Sequence, residues 1–165
     1  AGKRILLLGA GGAARGVIAP LLAGQPASLF IANRSADKAT LLAADFSDIA
    51  ATIMATAGLR VDGGNFAKTT GKSFDLVINA TSASLSGESL PLPQGVFATG
   101  CLAYDMMYGK GETPFMALAR KQGAARCADG LGMLVEQAAE AFFIWRAVRP
   151  QTAAVLADLR AQLGA

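Results

Sequence analysis

Short continuous apolar runs alternate along this chain with longer segments whose apolar residues recur three and four positions apart. Ile5-Leu6-Leu7-Leu8, Ala27-Ser28-Leu29-Phe30-Ile31-Ala32 and Phe74-Asp75-Leu76-Val77-Ile78 are of the first kind, the signature of strands covered on both faces. Val17, Ile18, Leu21 and Leu22 are of the second. The pattern predicts strands over 4–8, 27–32, 74–78, 101–106 and 125–128, with a short third strand over 59–62. It predicts helices over 13–23, 36–46, 114–122, 131–148 and 151–163. Gly24-Gln25-Pro26 stops the first helix, Pro114 opens and Gly123 closes another, and Pro150 separates the last two. Residues 47–72 are the least legible: 49–57 could extend the second helix or begin another, and Gly63-Gly64-Asn65 has turn chemistry. The stretch to Gly100, with Pro91 and Pro93, reads as an irregular loop. Strands alternating with helices predict an α/β fold: a doubly wound parallel sheet of Rossmann-like order 3-2-1-4-5-6 with a C-terminal helix pair.

The first strand-to-helix turn is Gly9-Ala10-Gly11-Gly12-Ala13-Ala14-Arg15-Gly16. A glycine-rich turn between strand and helix is a phosphate cradle. Gly9 lets the backbone turn sharply, Gly11 leaves room for a pyrophosphate, and Ala14 is small enough for helix and strand to pack closely. The helix start offers unpaired N–H groups and a partial positive charge.

The residue after the second strand discriminates between nucleotides. A carboxylate there would bind both ribose hydroxyls of NAD and repel a 2′-phosphate. The chain has Asn33-Arg34-Ser35-Ala36-Asp37-Lys38 instead. Arg34 can hydrogen-bond a 2′-phosphate and lay its guanidinium on adenine; Lys38 follows one turn along, and Asn33 and Ser35 add neutral donors. The spacing from the glycine turn, about 20 residues, is that of a dinucleotide site. These residues predict NADP over NAD.

The 165 residues suffice for one domain with a core, and 53% hydrophobic content describes an apolar globular chain. The longest uncharged run, 16–33, is interrupted by Pro20, Gly24 and Pro26, so no membrane segment is predicted. A net charge of +3 with mixed signs and no aromatic–basic interleaving does not argue for nucleic acid. Cys101 and Cys127 read as small buried hydrophobes rather than a disulfide framework, and cytosol is the natural compartment. There is no histidine, which removes the commonest general base, and no acidic or cysteine cluster has metal spacing.

Beyond the glycine turn and Asn33-Arg34-Ser35, three further motifs coincide: Asp75-Leu-Val-Ile-Asn-Ala-Thr-Ser82, Tyr104-Asp-Met-Met-Tyr108 with Thr113-Pro114, and Ala128-Asp-Gly-Leu-Gly-Met-Leu-Val-Glu-Gln137. Together they resemble shikimate dehydrogenase, over nearly the whole chain and in order, and specifically its C-terminal NADP-binding domain. The resemblance implies a hydride transfer from NADPH to the ketone of 3-dehydroshikimate. It implies that Gly9, Ala10, Gly11, Gly12 and Ala13 hold the pyrophosphate and that Asn33, Arg34, Ser35 and Lys38 clamp the 2′-phosphate. Ala80, Thr81 and Ser82 would line the cofactor, Met106 and Gly130 would touch its nicotinamide side, and Tyr108 and Gln137 would reach shikimate. Asp105 and Asp129 read as capping or turn residues, and Met133, Leu134 and Ala138 as a packing stripe.

In that family the catalytic Lys–Asp pair comes from an N-terminal substrate domain. The chain begins Ala1-Gly2-Lys3-Arg4, directly before the first strand, which reads as a cut at a domain boundary. Lys72 and Lys110 read as solvated loop residues. The expectation is therefore a domain that binds NADP and is inactive alone. The last helix carries Val155, Leu156, Leu159 and Leu163 on one stripe; part of it would be exposed and favour self-association. The rival readings are a non-catalytic NADP-binding sensor, a quinate/shikimate dehydrogenase using NAD, and an S-adenosylmethionine methyltransferase; Arg34 and Lys38 oppose the last two.

Overall fold

The computed structural model describes residues 1–53, 59–83 and 89–164. Six parallel strands form one sheet, β1 (Arg4–Leu8), β2 (Ser28–Ala32), β3 (Arg60–Gly64), β4 (Phe74–Asn79), β5 (Phe97–Asp105) and β6 (Arg126–Ala128), in the order β3-β2-β1-β4-β5-β6. The helices described are α1 (Gly12–Ala23), α2 (Ala36–Ile53), α3 (Pro114–Lys121), α4 (Leu131–Arg146) and α5 (Thr152–Leu163), with a 3₁₀ turn at Phe66–Thr69. The expected strand order and the C-terminal helix pair are both present.

The continuous apolar runs are explained by two cores, one on each face of the sheet. Side chains along a strand point alternately to opposite faces. Leu6 and Leu8 of β1 accordingly join Phe30, Val77 and Ala103 on one face, beneath Phe66, Phe97 and Phe115. Ile5 and Leu7 join Leu29, Ile31 and Ile78 on the other, beneath Ala14, Ile18 and Leu22 of α1 and Leu42 and Phe46 of α2. Leu6, Leu7 and Leu8 are fully buried, each worth about 1.5–3 kcal/mol. The register aligns Leu8 with Ala32 of β2 and Asn79 of β4, so the strands that flank the switch in order end level with one another.

Several boundaries differ from those expected. α2 runs to Ile53, beyond the expected end at Phe46; residues 54–57 of the alternative considered there, and 84–88 of the expected loop, lie outside the described residues. β3 reaches Gly64 because Gly63 is not a turn residue: a Cβ there would run into the backbone of Ala39, so the glycine lets α2 lie close across the strand. β5 begins at Phe97 rather than Cys101. Gly100, at φ +80°, sits inside it where the pairing with β4 shifts register between Phe74 and Leu76, a bulge that resembles a turn in sequence. α4 ends at Arg146, capped by the left-handed Ala147 (φ 55°) donating to the Phe143 carbonyl. Its buried stripe is Leu131, Val135 and Ala139, not Met133, Leu134 and Ala138.

Candidate functional site

The cleft lies at the carboxyl ends of β1 and β4, where the strand order reverses, the place a doubly wound sheet offers to ligands. Gly9 follows β1 at φ +107°, and a Cβ on it would come 2.9 Å from the Ala80 carbonyl oxygen. Its N–H donates to Ala32 O at 2.7 Å, while Ala80 N–H donates to Leu8 O at 2.8 Å. The turn is thus tied to both neighbouring strands. A Cβ on Gly11 or Gly12 would meet nothing of the protein. Gly11 caps α1 without a side-chain acceptor, and no acidic residue occupies the first turn. The helix start therefore presents N–H donors and a positive dipole end to the cleft. Ala14 is fully buried between α1 and the sheet, as its size requires.

A cavity of about 760 Å³ gathers Gly9, Ala10, Gly11, Gly12, Ala13, Asn33, Arg34, Ala80, Thr81 and Ser82, all singled out from sequence. It adds Phe66, Ala83, Ser89, Leu90 and Pro91. Phe66 follows the end of β3 and was recoverable from the rule that ligands sit at strand ends; the other four lie in a loop with no periodic signal. At the end of β2, the Asn33 side-chain amide donates to Ser35 O at 3.1 Å. Arg34, Ser35 and Lys38 are exposed at the start of α2. Most arginines of the chain are paired, as in Arg4–Asp75, Arg15–Asp45 and Arg120–Glu112. Arg34 makes no ion pair among the described residues, which leaves its guanidinium open to an anion at the cleft rim.

The other half of the strand-end surface is built on buried polar side chains. Asn79 at the end of β4 and Asp105 at the end of β5 are both fully buried. The Asn79 amide donates to Asp105 at 3.0 Å, and Asn79 Oδ1 accepts from Thr81 N and Thr81 Oγ1. Asp105 accepts further from Met107 N and from the Thr113 hydroxyl, the N-cap of α3. Asp129, at the end of β6, accepts from Leu131 N and is paired with Arg160 of α5. Both aspartates hold backbone turns, as expected.

Met106 and Gly130 are brought together: Gly130 N–H donates to Met107 O at 3.0 Å, and a Cβ on Gly130 would run into the Met106 carbonyl. Tyr108, beyond the end of β5, is 41% exposed, and Gln137 is exposed on α4; neither lines the cavity. Lys110 is exposed. Lys72 lies at the opposite end of the strands, before β4, with its ammonium 4.3 Å from the Phe30 ring centre. Burial pushes the Cys101 thiol up to about 11 and also raises Cys127; both are free, and burial disfavours the thiolate of each. Among the described residues no helix is long and apolar enough to cross a membrane.

Fold and cleft together define a doubly wound α/β domain of the Rossmann-like class. The model of the shikimate / quinate 5-dehydrogenase family matches residues 1–86, and that of the shikimate 5'-dehydrogenase C-terminal domain matches residues 130–160. The chain belongs to the shikimate / quinate 5-dehydrogenase family. It is 75% identical over 162 residues to the shikimate dehydrogenase (NADP(+)) of Dechloromonas aromatica, covering 98% of this chain and 56% of that protein. It superimposes on the Ael1 enzyme from Pseudomonas putida with TM-score 0.77 at 49% identity, covering 95% of this chain and 54% of the other. It also superimposes on the 5-ketofructose reductase of a Gluconobacter strain, with TM-score 0.73 at 29% identity over 98% of this chain and 57% of the other. The chain spans about half the length of the curated relatives it matches.

Proposed function

We propose that this chain is the NADP-binding domain of a shikimate dehydrogenase, which holds the cofactor for reduction of 3-dehydroshikimate and takes its catalytic Lys–Asp pair from a separate substrate domain. The observation that carries the reading is the convergence on one cavity of an uncapped, glycine-rich helix start and an arginine that makes no ion pair among the described residues. The residues fit the cofactor. The cavity volume is in the range of nucleotide sites, the faces of Gly11 and Gly12 are open, and the rim carries a cation where an NAD site has a carboxylate. In this reading Gly9, Ala10, Gly11, Gly12 and Ala13 donate backbone N–H groups to the pyrophosphate. Arg34, with Asn33, Ser35 and Lys38, holds the 2′-phosphate. Ala80, Thr81 and Ser82 line the middle of the dinucleotide, and Met106 and Gly130 form the floor for its nicotinamide. Tyr108 and Gln137 stand beyond that floor and contact the substrate.

NADPH supplies the hydride; this chain orients it. Among the described residues, the two buried carboxylates at the strand ends, Asp105 and Asp129, are engaged in hydrogen bonds and an ion pair, which supports an acid–base pair supplied from outside the chain. The similarity to a relative named for 5-ketofructose supports the same division of labour, with the substrate chosen largely elsewhere. We place the protein in the cytosol, where the free thiols persist. Calorimetric titration with NADP+ and NAD+ tests the reading. The expected result is binding of NADP+ with NAD+ at least tenfold weaker, and no turnover of 3-dehydroshikimate by the chain alone. Equal affinity for both dinucleotides, or appreciable turnover, refutes it.

Self-association belongs to the same proposal. Val155 on α5 is 48% exposed, as expected, and α4 adds exposed apolar side chains of its own, Ile144 at 71% and Trp145 at 78%. Such exposure favours association. Light scattering should show mass rising with concentration, and Trp145→Gln should reduce the rise.

A further inference from the structure

We propose that Arg160 is a positioning residue for the nicotinamide half of the dinucleotide, acting through Asp129 on the β6–α4 turn. The inference rests on the reading of the cleft as an NADP site. α5 contributes no buried residue to the domain, yet its Arg160 reaches Asp129 with both terminal guanidinium nitrogens, at 2.6 and 2.5 Å. The fork-on-carboxylate arrangement fixes orientation as well as charge. The Asp129 side chain is 4% exposed and that of Arg160 35%, so the arginine is the solvent-facing cover of a buried carboxylate. Unpaired, a carboxylate so placed would draw in water or a proton.

Asp129 transmits this contact into the strand-end surface. Its Oδ1 also accepts from Leu131 N, holding the first turn of α4. Between the two lies Gly130, which donates to Met107 O and sits so close to Met106 that no Cβ fits. Arg160, Asp129, Gly130 and the Met106–Met107 backbone therefore form one contiguous path. Its far end lies where a dinucleotide must go. With the adenosine held at the end of β2 by Arg34 and the pyrophosphate at Gly9–Ala13, the other half extends over the ends of β4, β5 and β6. Arg160 touches no cofactor itself; it sets the height and tilt of the turn on which the nicotinamide rests.

The test compares NADP+ with adenosine 2′,5′-bisphosphate, which carries the adenosine and 2′-phosphate but no nicotinamide. Both are titrated by calorimetry into the parent chain and the Arg160→Ala, Arg160→Lys and Asp129→Asn variants, after circular dichroism has shown each to be folded. Arg160→Ala should weaken NADP+ fivefold or more and change the bisphosphate by less than twofold. Arg160→Lys, which keeps the charge but not the fork, should fall between, and Asp129→Asn, which keeps an acceptor for Leu131 N–H, should follow Arg160→Ala. Hydrogen exchange without ligand should quicken at the Gly130 and Leu131 amides in Arg160→Ala. Equal weakening of both ligands, unchanged NADP+ affinity, or unchanged exchange at those amides overturns the assignment while leaving the site reading intact. Failure of the parent chain to bind either compound overturns the site reading and the assignment together.

Discussion

The side-chain amide of Asn79 donates to the carboxylate of Asp105 across the ends of two adjacent strands, 3.0 Å apart, with both residues fully buried. The contact joins two halves of the strand-end surface. On one side Asn79 orients Thr81 at the cavity wall; on the other Asp105 holds Met107 and, through Thr113, the start of α3. A buried carboxylate is tolerated here because donors from strand, loop and helix cap converge on it.

Removal of that acceptor should be costly. Asp105→Ala removes the acceptor shared by the Asn79 amide, the Met107 N–H and the Thr113 hydroxyl, and each such hydrogen bond lost costs about 1–3 kcal/mol. Urea denaturation should show a loss of about 3 kcal/mol or more. Asp105→Asn, which keeps one acceptor oxygen, should lose roughly half as much. A loss below about 1 kcal/mol would mean that the network contributes little to folding.

The glycines of the first turn divide by what they face. Gly9 needs its left-handed backbone and faces the Ala80 carbonyl; Gly11 has φ −93° and faces open space. Gly9→Ala should therefore destabilise the fold by about 2 kcal/mol or more. Gly11→Ala should leave stability within about 0.5 kcal/mol yet weaken NADP+ tenfold or more, because the added methyl occupies the room kept for a phosphate. Thermal melts and calorimetry on the same two variants separate these effects. If Gly11→Ala bound NADP+ normally, no phosphate would approach that position.

The parts of this architecture legible in sequence are those governed by local physics. Ile5 to Leu8 and Leu29 to Ala32 read as two-faced strands because both faces are covered, and that pattern with the first turn sufficed for the sheet order. Gly63 and Gly100 were misread for a common reason. A glycine serving close approach of a helix, or a bulge within a strand, has the same letter as one serving a turn. The stripe of α4 was displaced because its exposed residues are as apolar as its buried ones: Phe142, Phe143, Ile144 and Trp145 remain at the surface, so periodicity carries little contrast there. In the cavity, Asn33 and Arg34 were legible from charge at a strand end. Ser89, Leu90 and Pro91 were not, since a loop wall is set by tertiary contact. The Arg160–Asp129 pair spans 31 residues, and nothing local in sequence marks it.

Arg34 offers the sharpest test of cofactor choice. A charge-assisted hydrogen bond to the 2′-phosphate contributes roughly 1.5–3 kcal/mol, and an exposed side chain with no ion pair among the described residues carries little structural load. Arg34→Ala should weaken NADP+ about 10- to 150-fold and change NAD+ affinity by less than twofold, at unchanged melting temperature. Lys38→Ala should act in the same direction more weakly, since a lysine is a point charge without the planar fork. Equal losses for both dinucleotides would place Arg34 on a part of the cofactor that the two share.

Acid stability should be set in part at the amino-terminal ends of the two central strands. Arg4 at the start of β1 donates to Asp75 of β4 from its main chain at 2.9 Å and from its guanidinium at 2.9 and 3.1 Å. These hydrogen bonds and the charge of Arg4 lower the Asp75 carboxyl from 3.8 to about 2. Because the folded state holds the carboxylate ionised below the unfolded value, the pair stabilises fully above about pH 5 and loses its contribution as pH falls from 4 to 2. Arg4 is 46% exposed, so solvent screening reduces the effect to about 1 kcal/mol. Asp75→Asn should lower stability by that amount at pH 7 and leave a flatter dependence between pH 4 and 2, while NADP+ affinity stays within twofold because the pair lies at the opposite end of the strands from the cavity. Denaturation series at pH 7, 4 and 2.5 read both quantities. Parallel pH curves for the two proteins would mean that Asp75 titrates alike in the folded and unfolded chains.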